Sequence, residues 1–452
     1  MPIPKPTIPG ARLRLSCGRI GIGGLLLLGL ASAAPAQSLT ELHGLAQAYD
    51  ARVQAARASA EAARHRFDQA SALRRPTAAL SASINRSATD APGRDATIYN
   101  TRPSAQLSAT QPLINPASTV QIEQAQRNVG LAQTQLEEAE QDLILRLSDA
   151  YFAVLAAQDT LNTARQNEAA IAEQLASAQR NFEVGTATIT DTREAQSRRD
   201  LAIAQRLAAE NTLRTAQIAL DQLVGRDGVS PRPLQQPTRL PALTPGEVEQ
   251  WAARSESAPS VRRARLALEV AELDTRLARS GEQPTLDLVG SYGKSRNTGT
   301  SAGTFGVGTT TTASVGLQFN WPVFTGGRVG ARVRETVSLT ERARQDLDNT
   351  RRTLAQTTRQ AYFTVLSGEA QVRALEAAEA SSRLALEATQ VGYRVGVRVN
   401  LDVLNAQTQL YTTQTNLARA RYDLLLGQLR LRQAAGTLAA ADLGEIAKVL
   451  QP

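Results

Sequence analysis

Between residues 312 and 324 the chain reads TASVGLQFNWPVF, and its side chains change character at every step. Ala313, Val315, Leu317, Phe319 and Trp321 are apolar, whereas Thr312, Ser314, Gly316, Gln318 and Asn320 are small or polar. A period of two is that of an extended strand with one apolar face. TAALSASINRSA from Thr77, RPSAQLSATQPL from Arg102 and PTLDLVGSYGKS from Pro284 alternate likewise, the last less cleanly. Each spans about 10 to 13 residues, the length of a tilted membrane-spanning strand. Between them lie polar, glycine-rich loops, DAPGRDATIYNT from Asp90 and TGTSAGTFGVGTTT from Thr298.

Elsewhere the period is helical. From Ala117 to Gln179 there is no proline and one glycine, while Val129, Leu136, Leu143 and Ala150 recur at heptad spacing. Leu147, Val154 and Leu161 form a neighbouring seam. This spacing predicts one helix of about 60 residues, or about 90 Å at 1.5 Å per residue. Shorter helices are expected over 39–73 and 191–223. A second set then follows, short over 247–278, long over 329–390 and short over 402–433.

That second set is a copy of the first. FEVGTATITDTREAQ (182–196) and YRVGVRVNLDVLNAQ (393–407) lie 211 positions apart, with Val-Gly, Asp and Ala-Gln in register. DAYFAVL from Asp149 and QAYFTVL from Gln360 share the offset, as do Gly225 and Gly436. The stretch RDGVSPRPLQQPTRLPALTP joins the copies, and its prolines cannot continue a helix. The expected organisation is a leader over 1–36, a helix–strand–strand–helix repeat over 37–225, a linker over 226–245, a second repeat over 246–436, and a C-terminal tail over 437–452.

The leader reads as a secretory signal peptide. Lys5, Arg12, Arg14 and Arg19 precede an apolar run from Ile20 to Ala31, and Ala34 to Ala36 form a small-x-small cleavage site. The run is too short for a spanning helix, which needs about 20 apolar residues. Removing four of the 50 basic residues and none of the 42 acidic ones leaves 46 against 42, a net charge of +4. So small and dispersed an excess does not point to nucleic acid. The single cysteine, Cys17, lies in the leader, so neither disulfides nor a lipidated N-terminus is expected in the mature chain. His43 and His65 are isolated, and no metal cluster, phosphate loop or nucleophile–base pair stands out. The expectation is a protein that is no enzyme and carries no metal or cofactor.

Four amphipathic strands cannot close into a barrel, and an open edge in lipid leaves backbone groups unsatisfied. Several chains must therefore contribute four strands each. Two chains make eight strands around a filled interior, and three make twelve around a pore; the pattern alone does not choose between them.

The signal peptide, the duplicated helix–strand–loop–strand–helix unit, the AYF in each long helix and the paired VG…D…AQ turns resemble the TolC family of outer-membrane channel proteins. The resemblance covers essentially the whole mature chain. It implies a mainly α protein with a transmembrane β-barrel: a TolC-like homotrimer with four strands per chain in a 12-stranded barrel, continued by a long α-helical tunnel into the periplasm. It also implies partners, namely outer-membrane lipid, a periplasmic adaptor (membrane fusion) protein and an inner-membrane ABC or RND transporter. The role it implies is the exit duct of a tripartite export system in the Gram-negative outer membrane. Type I protein secretion is favoured by the missing lipid-attachment cysteine, with multidrug efflux as the alternative. A periplasmic adaptor is a weaker reading, because an adaptor carries one hairpin flanked by small β domains.

The turns then lie at the periplasmic mouth. In the family two aspartates, three residues apart, ring the closed entrance and attract cations. Here the first matches Asp402, whereas the second position holds Asn405, so a weaker cation preference is expected at a pH-sensitive constriction. The family's entrance latch joins a tyrosine and an arginine of the second turn to an aspartate and a glutamine of the first hairpin. They match Tyr393, Arg398, Asp191 and Gln174. Without the resemblance, Asp191 and Asp402 read as helix N-caps.

Overall fold

The computed structural model describes residues 37–90, 97–233, 246–299 and 308–448. The expected leader lies outside these residues, as do parts of the linker and of both outer loops. The order of elements is α1 (Leu39–Tyr49), α2 (Ala51–Ser71), β1 (Thr77–Thr89), β2 (Ile98–Ile114), α3 (Pro116–Glu183) and α4 (Ile189–Val224). After the linker come α5 (Val248–Arg254), α6 (Pro259–Ser280), β3 (Thr285–Gly299), β4 (Gly308–Asn320), α7 (Arg328–Arg394), α8 (Asn400–Ala434) and α9 (Ala440–Ala447).

The long helices α3 and α7 hold 68 and 67 residues, so each extends about 100 Å. Asn115 starts α3 by accepting the Ser118 N–H at 3.1 Å, ahead of a proline whose missing N–H costs nothing at the first turn. α3 packs along α2 near the strands and along α4 farther down; α7 does the same with α6 and α8. The halves meet where α3 packs on α6 and α8. The Leu147, Val154 and Leu161 seam is buried as its spacing predicts.

All four strands form one antiparallel sheet in the order β1-β2-β3-β4. The register stacks Leu80, Leu107, Tyr292 and Ala313 in one row, and Ala78, Ala109, Gly290 and Val315 in the next. The opposite face carries small hydroxyls: Ser83 and Ser104 meet at 2.9 Å, and Ser291 and Ser314 at 2.8 Å. The apolar face is bare, with Leu80 78% and Val315 82% exposed. No helix of the described residues is long and apolar enough to cross a membrane. The bare apolar face is what suits the sheet to lipid.

The largest core sits midway along the helices. There Leu143, Leu147 and Leu155 of α3 meet Leu425 and Leu429 of α8, Leu39 and Leu42 of α1, and Leu443 of α9. The two AYF motifs have a structural role at this level. Tyr151 accepts the Arg232 N–H at 2.8 Å, and Tyr362 donates to the Gly246 carbonyl at 2.6 Å. Tyr151 thus fixes the first part of the proline-rich stretch, and Tyr362 the residue just after its end.

Three element expectations are corrected. The helix expected over 39–73 is two, because Asp50 leaves the helical conformation and its carboxylate caps the Val53 N–H at 3.0 Å. Arg146 bonds that carboxylate at 2.9 and 3.2 Å and holds it below the usual carboxylate range. The helix expected over 247–278 is also interrupted, at Ala258, whose extended backbone suits the following Pro259. The strand expected to reach Phe324 ends at Asn320; Pro322 lacks an N–H for the ladder, and Trp321 turns its indole to the Glu282 carbonyl. The tail over 437–452 contains α9, held by Arg432 against Asp442 and Glu445 and by buried Leu443 and Ile446.

Candidate functional site

Each long helix ends, at the end farthest from the sheet, in the same turn. Gly185 and Gly396 adopt φ of 79° and 82°, a left-handed conformation that glycine takes without steric penalty. The N–H groups of Thr186 and Ala187 both reach back to the Asn181 carbonyl at 2.8 and 3.1 Å. Those of Val397 and Arg398 reach the Gly392 carbonyl at 2.9 and 3.2 Å. The backbone repeats, but the side chains do not.

In the first turn Thr188 is the N-cap of α4 and Asp191 is its third residue, so the two form a capping box. The Asp191 carboxylate accepts from the Thr188 N–H at 2.9 Å and its hydroxyl at 2.7 Å. In the second turn the cap position holds Val399, which offers no side-chain bond. Asp402 is likewise the third residue of its helix rather than its cap, and its carboxylate lies 3.7 Å from Arg398. Neither aspartate is the N-cap that spacing alone suggests.

The two tips pack together around an apolar contact. Leu404 of α8 is fully buried against Ile171, Leu175 and Ala178 of α3 and Ala195 of α4. Beside it Asn400, 3% exposed, bridges the hairpins. Its amide oxygen accepts from Gln174 at 2.5 Å, and its nitrogen donates to the Asp191 carbonyl at 3.3 Å. Asn181 donates to the Tyr393 hydroxyl at 3.1 Å, and Arg198 to the Asn405 amide oxygen at 3.2 Å. A cleft of about 660 Å³ lies between the tips, lined among others by Asp191, Tyr393, Arg398 and Asn400.

The structure therefore gathers Gln174, Asp191, Tyr393 and Arg398 at one junction, but with other partners than expected. Within the chain Gln174 and Asp191 meet Asn400, Tyr393 meets Asn181, and Arg398 meets Asp402. Asp402 and Asn405 lie one turn apart on one face of α8, both accessible, with Asn405 tied to the first hairpin. Asn400 and Asn181 were missed by sequence reasoning. One signal pointed to them: at the 211-residue offset Asn400 faces Ile189 and Asn181 faces Gly392, so each is polar where its counterpart is not.

The Arg398 stem explains that last pair. A Cβ on Gly392 would come within 2.8 Å of the Arg398 Cγ, so a bare backbone admits the arginine. In the first turn the corresponding residue is the small Ala187, and Asn181 has room.

The family model for outer membrane efflux proteins matches residues 42–226 and 253–437. The chain belongs to this family. It is 31% identical to the outer membrane protein TolC of Vibrio cholerae over 418 residues, covering 92% of this chain and 94% of that one. It is 34% identical to the alkaline protease secretion protein AprF of Pseudomonas aeruginosa over 345 residues, 75% of this chain and 71% of AprF. Among solved structures, the outer membrane protein VceC of Vibrio cholerae shares the fold, with a TM-score of 0.75 at 18% identity over 88% of this chain and 96% of that one. Membership places the protein in the Gram-negative outer membrane, with the sheet as its barrel portion and the helices reaching into the periplasm. The family is one of efflux and secretion channels, and that is the role the long helical duct suits.

Proposed function

We propose that three copies of this chain close a twelve-stranded barrel above a periplasmic helical duct, through which exported molecules leave the cell. The observation that carries this is the sheet. Its apolar face is exposed, and β1 and β4 each present a full-length unpaired edge in a single chain. Lipid covers such a face, but only a neighbouring strand satisfies such an edge inside a membrane. A periplasmic adaptor would meet the tips, where Val184, Val395, Val397 and Val399 stand exposed. Asp402, with Asn405 beside it, forms the constriction, and the Asn400 and Tyr393 contacts keep the mouth narrow.

The cargo is protein passed on by an ABC transporter. This is supported by the similarity to AprF, a protease secretion protein. The family's description as efflux proteins favours a second reading, drug export with an RND transporter. Deleting the gene separates them: secretion predicts an exported protein retained inside the cell with drug sensitivity unchanged, and efflux predicts the reverse. The assembly is checked by mass measurement in detergent, where a stable monomer or dimer would refute the trimer.

A further inference from the structure

The outward face of the sheet is apolar over most of its height and basic at one end. The four strands carry four basic residues, Arg86, Arg102, Lys294 and Arg296, against one acidic residue, Asp287. Alternation and register divide them by face. Arg102 pairs with Asn85 on the hydroxyl-rich face, whereas Lys294 pairs with Ala105 on the apolar one, in the row of Ala82 and two residues beyond Tyr292. Arg86 and Arg296 fall on that same apolar face by parity, and no acidic residue of the strands does. Among the described residues none of these three outward cations has a carboxylate partner. The Arg86 guanidinium lies 5.5 Å from the centre of the Tyr99 ring, which holds it along the sheet surface.

Their height is informative. The helices attach at the Thr77, Ile114, Thr285 and Asn320 ends of the strands, so those ends face the periplasm and the basic ends face outward. From the row of Leu286 and Phe319 to the row of Arg296 is ten residues. At about 3.4 Å per residue and a tilt of about 45°, this rises about 24 Å along the membrane normal, against an apolar band about 25 Å tall. Phe319 and Trp321 mark the lower boundary with exposed aromatic rings. The cations then sit at the outer boundary, level with the headgroups of the outer leaflet. Arg86 on β1 and the pair on β3 are two strands apart, about 10 Å, and occupy neighbouring rows.

We propose that Arg86, Lys294 and Arg296 form a binding site on the outer wall of the barrel for the phosphate groups of lipid A, the phosphorylated glycolipid of the outer leaflet. Arginine forks and a lysine ammonium on an otherwise apolar wall match an amphiphile with phosphates above acyl chains. The luminal Arg102 takes no part. The site rests on reading the sheet as part of a lipid-facing barrel.

The test titrates the purified, assembled protein in detergent with lipid A, with dephosphorylated lipid A and with inorganic phosphate, reading bound lipid by native mass spectrometry. Lipid A is expected to bind, dephosphorylated lipid A to bind at least tenfold more weakly, and inorganic phosphate not to compete at equal concentration. Arg86→Ser, Lys294→Ser and Arg296→Ser together should weaken lipid A by about a hundredfold, at about fivefold per cation. Arg102→Ser should leave it unchanged. Equal binding of the two lipids by the unaltered protein overturns the site without recourse to any variant. So do inorganic phosphate competing as well as the lipid, and a loss with Arg102→Ser equal to that of the triple variant. Pore conductance of the same sample in planar bilayers separates the two levels: a conducting protein indifferent to lipid phosphate loses the site and keeps the barrel.

Discussion

At the first tip Thr188 and Asp191 satisfy each other, and the turn from Gly185 into α4 closes on itself. At the second tip the same backbone has Val399 where the cap should be, and the polar side chains look outward instead. Asn400 reaches across to Gln174 and the Asp191 carbonyl, while Tyr393 accepts from Asn181. One hairpin is locally complete; the other depends on it. The two copies share the turn, but in one the side chains form a platform and in the other a dependent part. A hairpin whose cap offers no side-chain bond, and whose Asn400 and Tyr393 contacts cross to its neighbour, has two arrangements available, docked and released. The second hairpin is thus the one expected to move if the proposed mouth opens.

The largest test breaks that dependence. Asn400→Ile installs the residue found at the matching position of the first turn, Ile189. It strips the half-buried Gln174 amide of its acceptor and the half-buried Asp191 of a donor to its carbonyl, beside the buried Asn400 position. An unsatisfied buried polar group costs about 1 to 3 kcal/mol, less where it is half-buried, and in the proposed trimer three such sites would act at one mouth. Single-channel conductance should rise several-fold. Amide exchange should quicken at 400–407 while the core around Leu143 and Leu425 stays protected. A variant that conducts like the unaltered protein would show that the tips are held by the Leu404 packing alone.

The architecture was legible because it is written in periods. Alternation over 312–320 and heptads over 129–161 announce strand and long helix whatever surrounds them. The breaks at Asp50 and Ala258 were not legible. Capping there depends on Arg146, a residue 96 positions away, and on a proline that also begins helices without breaking one. The site was legible as a place and not as a set of bonds. Matching the turns located both tips, but which amide meets which carbonyl follows from how α3, α4 and α8 pack. Asn400 lay in view throughout as a polar residue in an isoleucine's place.

A smaller effect sharpens the comparison by exchanging the caps. Thr188→Val removes the cap of the first turn and should cost about 0.5 to 2 kcal/mol. Val399→Thr places a hydroxyl three residues before Asp402, completing the box the first turn already has. It should slow exchange of the Asp402 amide several-fold and lower conductance by favouring the docked arrangement. If Val399→Thr leaves that amide as exposed as before, the second turn owes its weakness to something other than the missing cap.

The smallest expected effect concerns Arg398, and it separates holding the mouth from setting its charge. The Arg398 and Asp402 side chains are 62% and 38% exposed and 3.7 Å apart, so their pair contributes only about 0.2 to 1 kcal/mol. Arg398→Ser alone should therefore change conductance far less than Asn400→Ile, and adding Tyr393→Phe, which alters the Asn181 contact, should raise it modestly with the assembly equally stable. Ion selectivity responds differently. The guanidinium sits beside the carboxylate expected to draw cations and offsets part of its field. Removing it unmasks Asp402, so Arg398→Ser should strengthen cation preference and Asp402→Ala should abolish it. Reversal potentials across a salt gradient measure both. The difference should be large at 0.01 M salt, where the screening length is about 30 Å, and nearly vanish at 1 M, where it is about 3 Å. Selectivity indifferent to both substitutions would place the Asp402 carboxylate away from the pore and leave it as a local partner of Arg398.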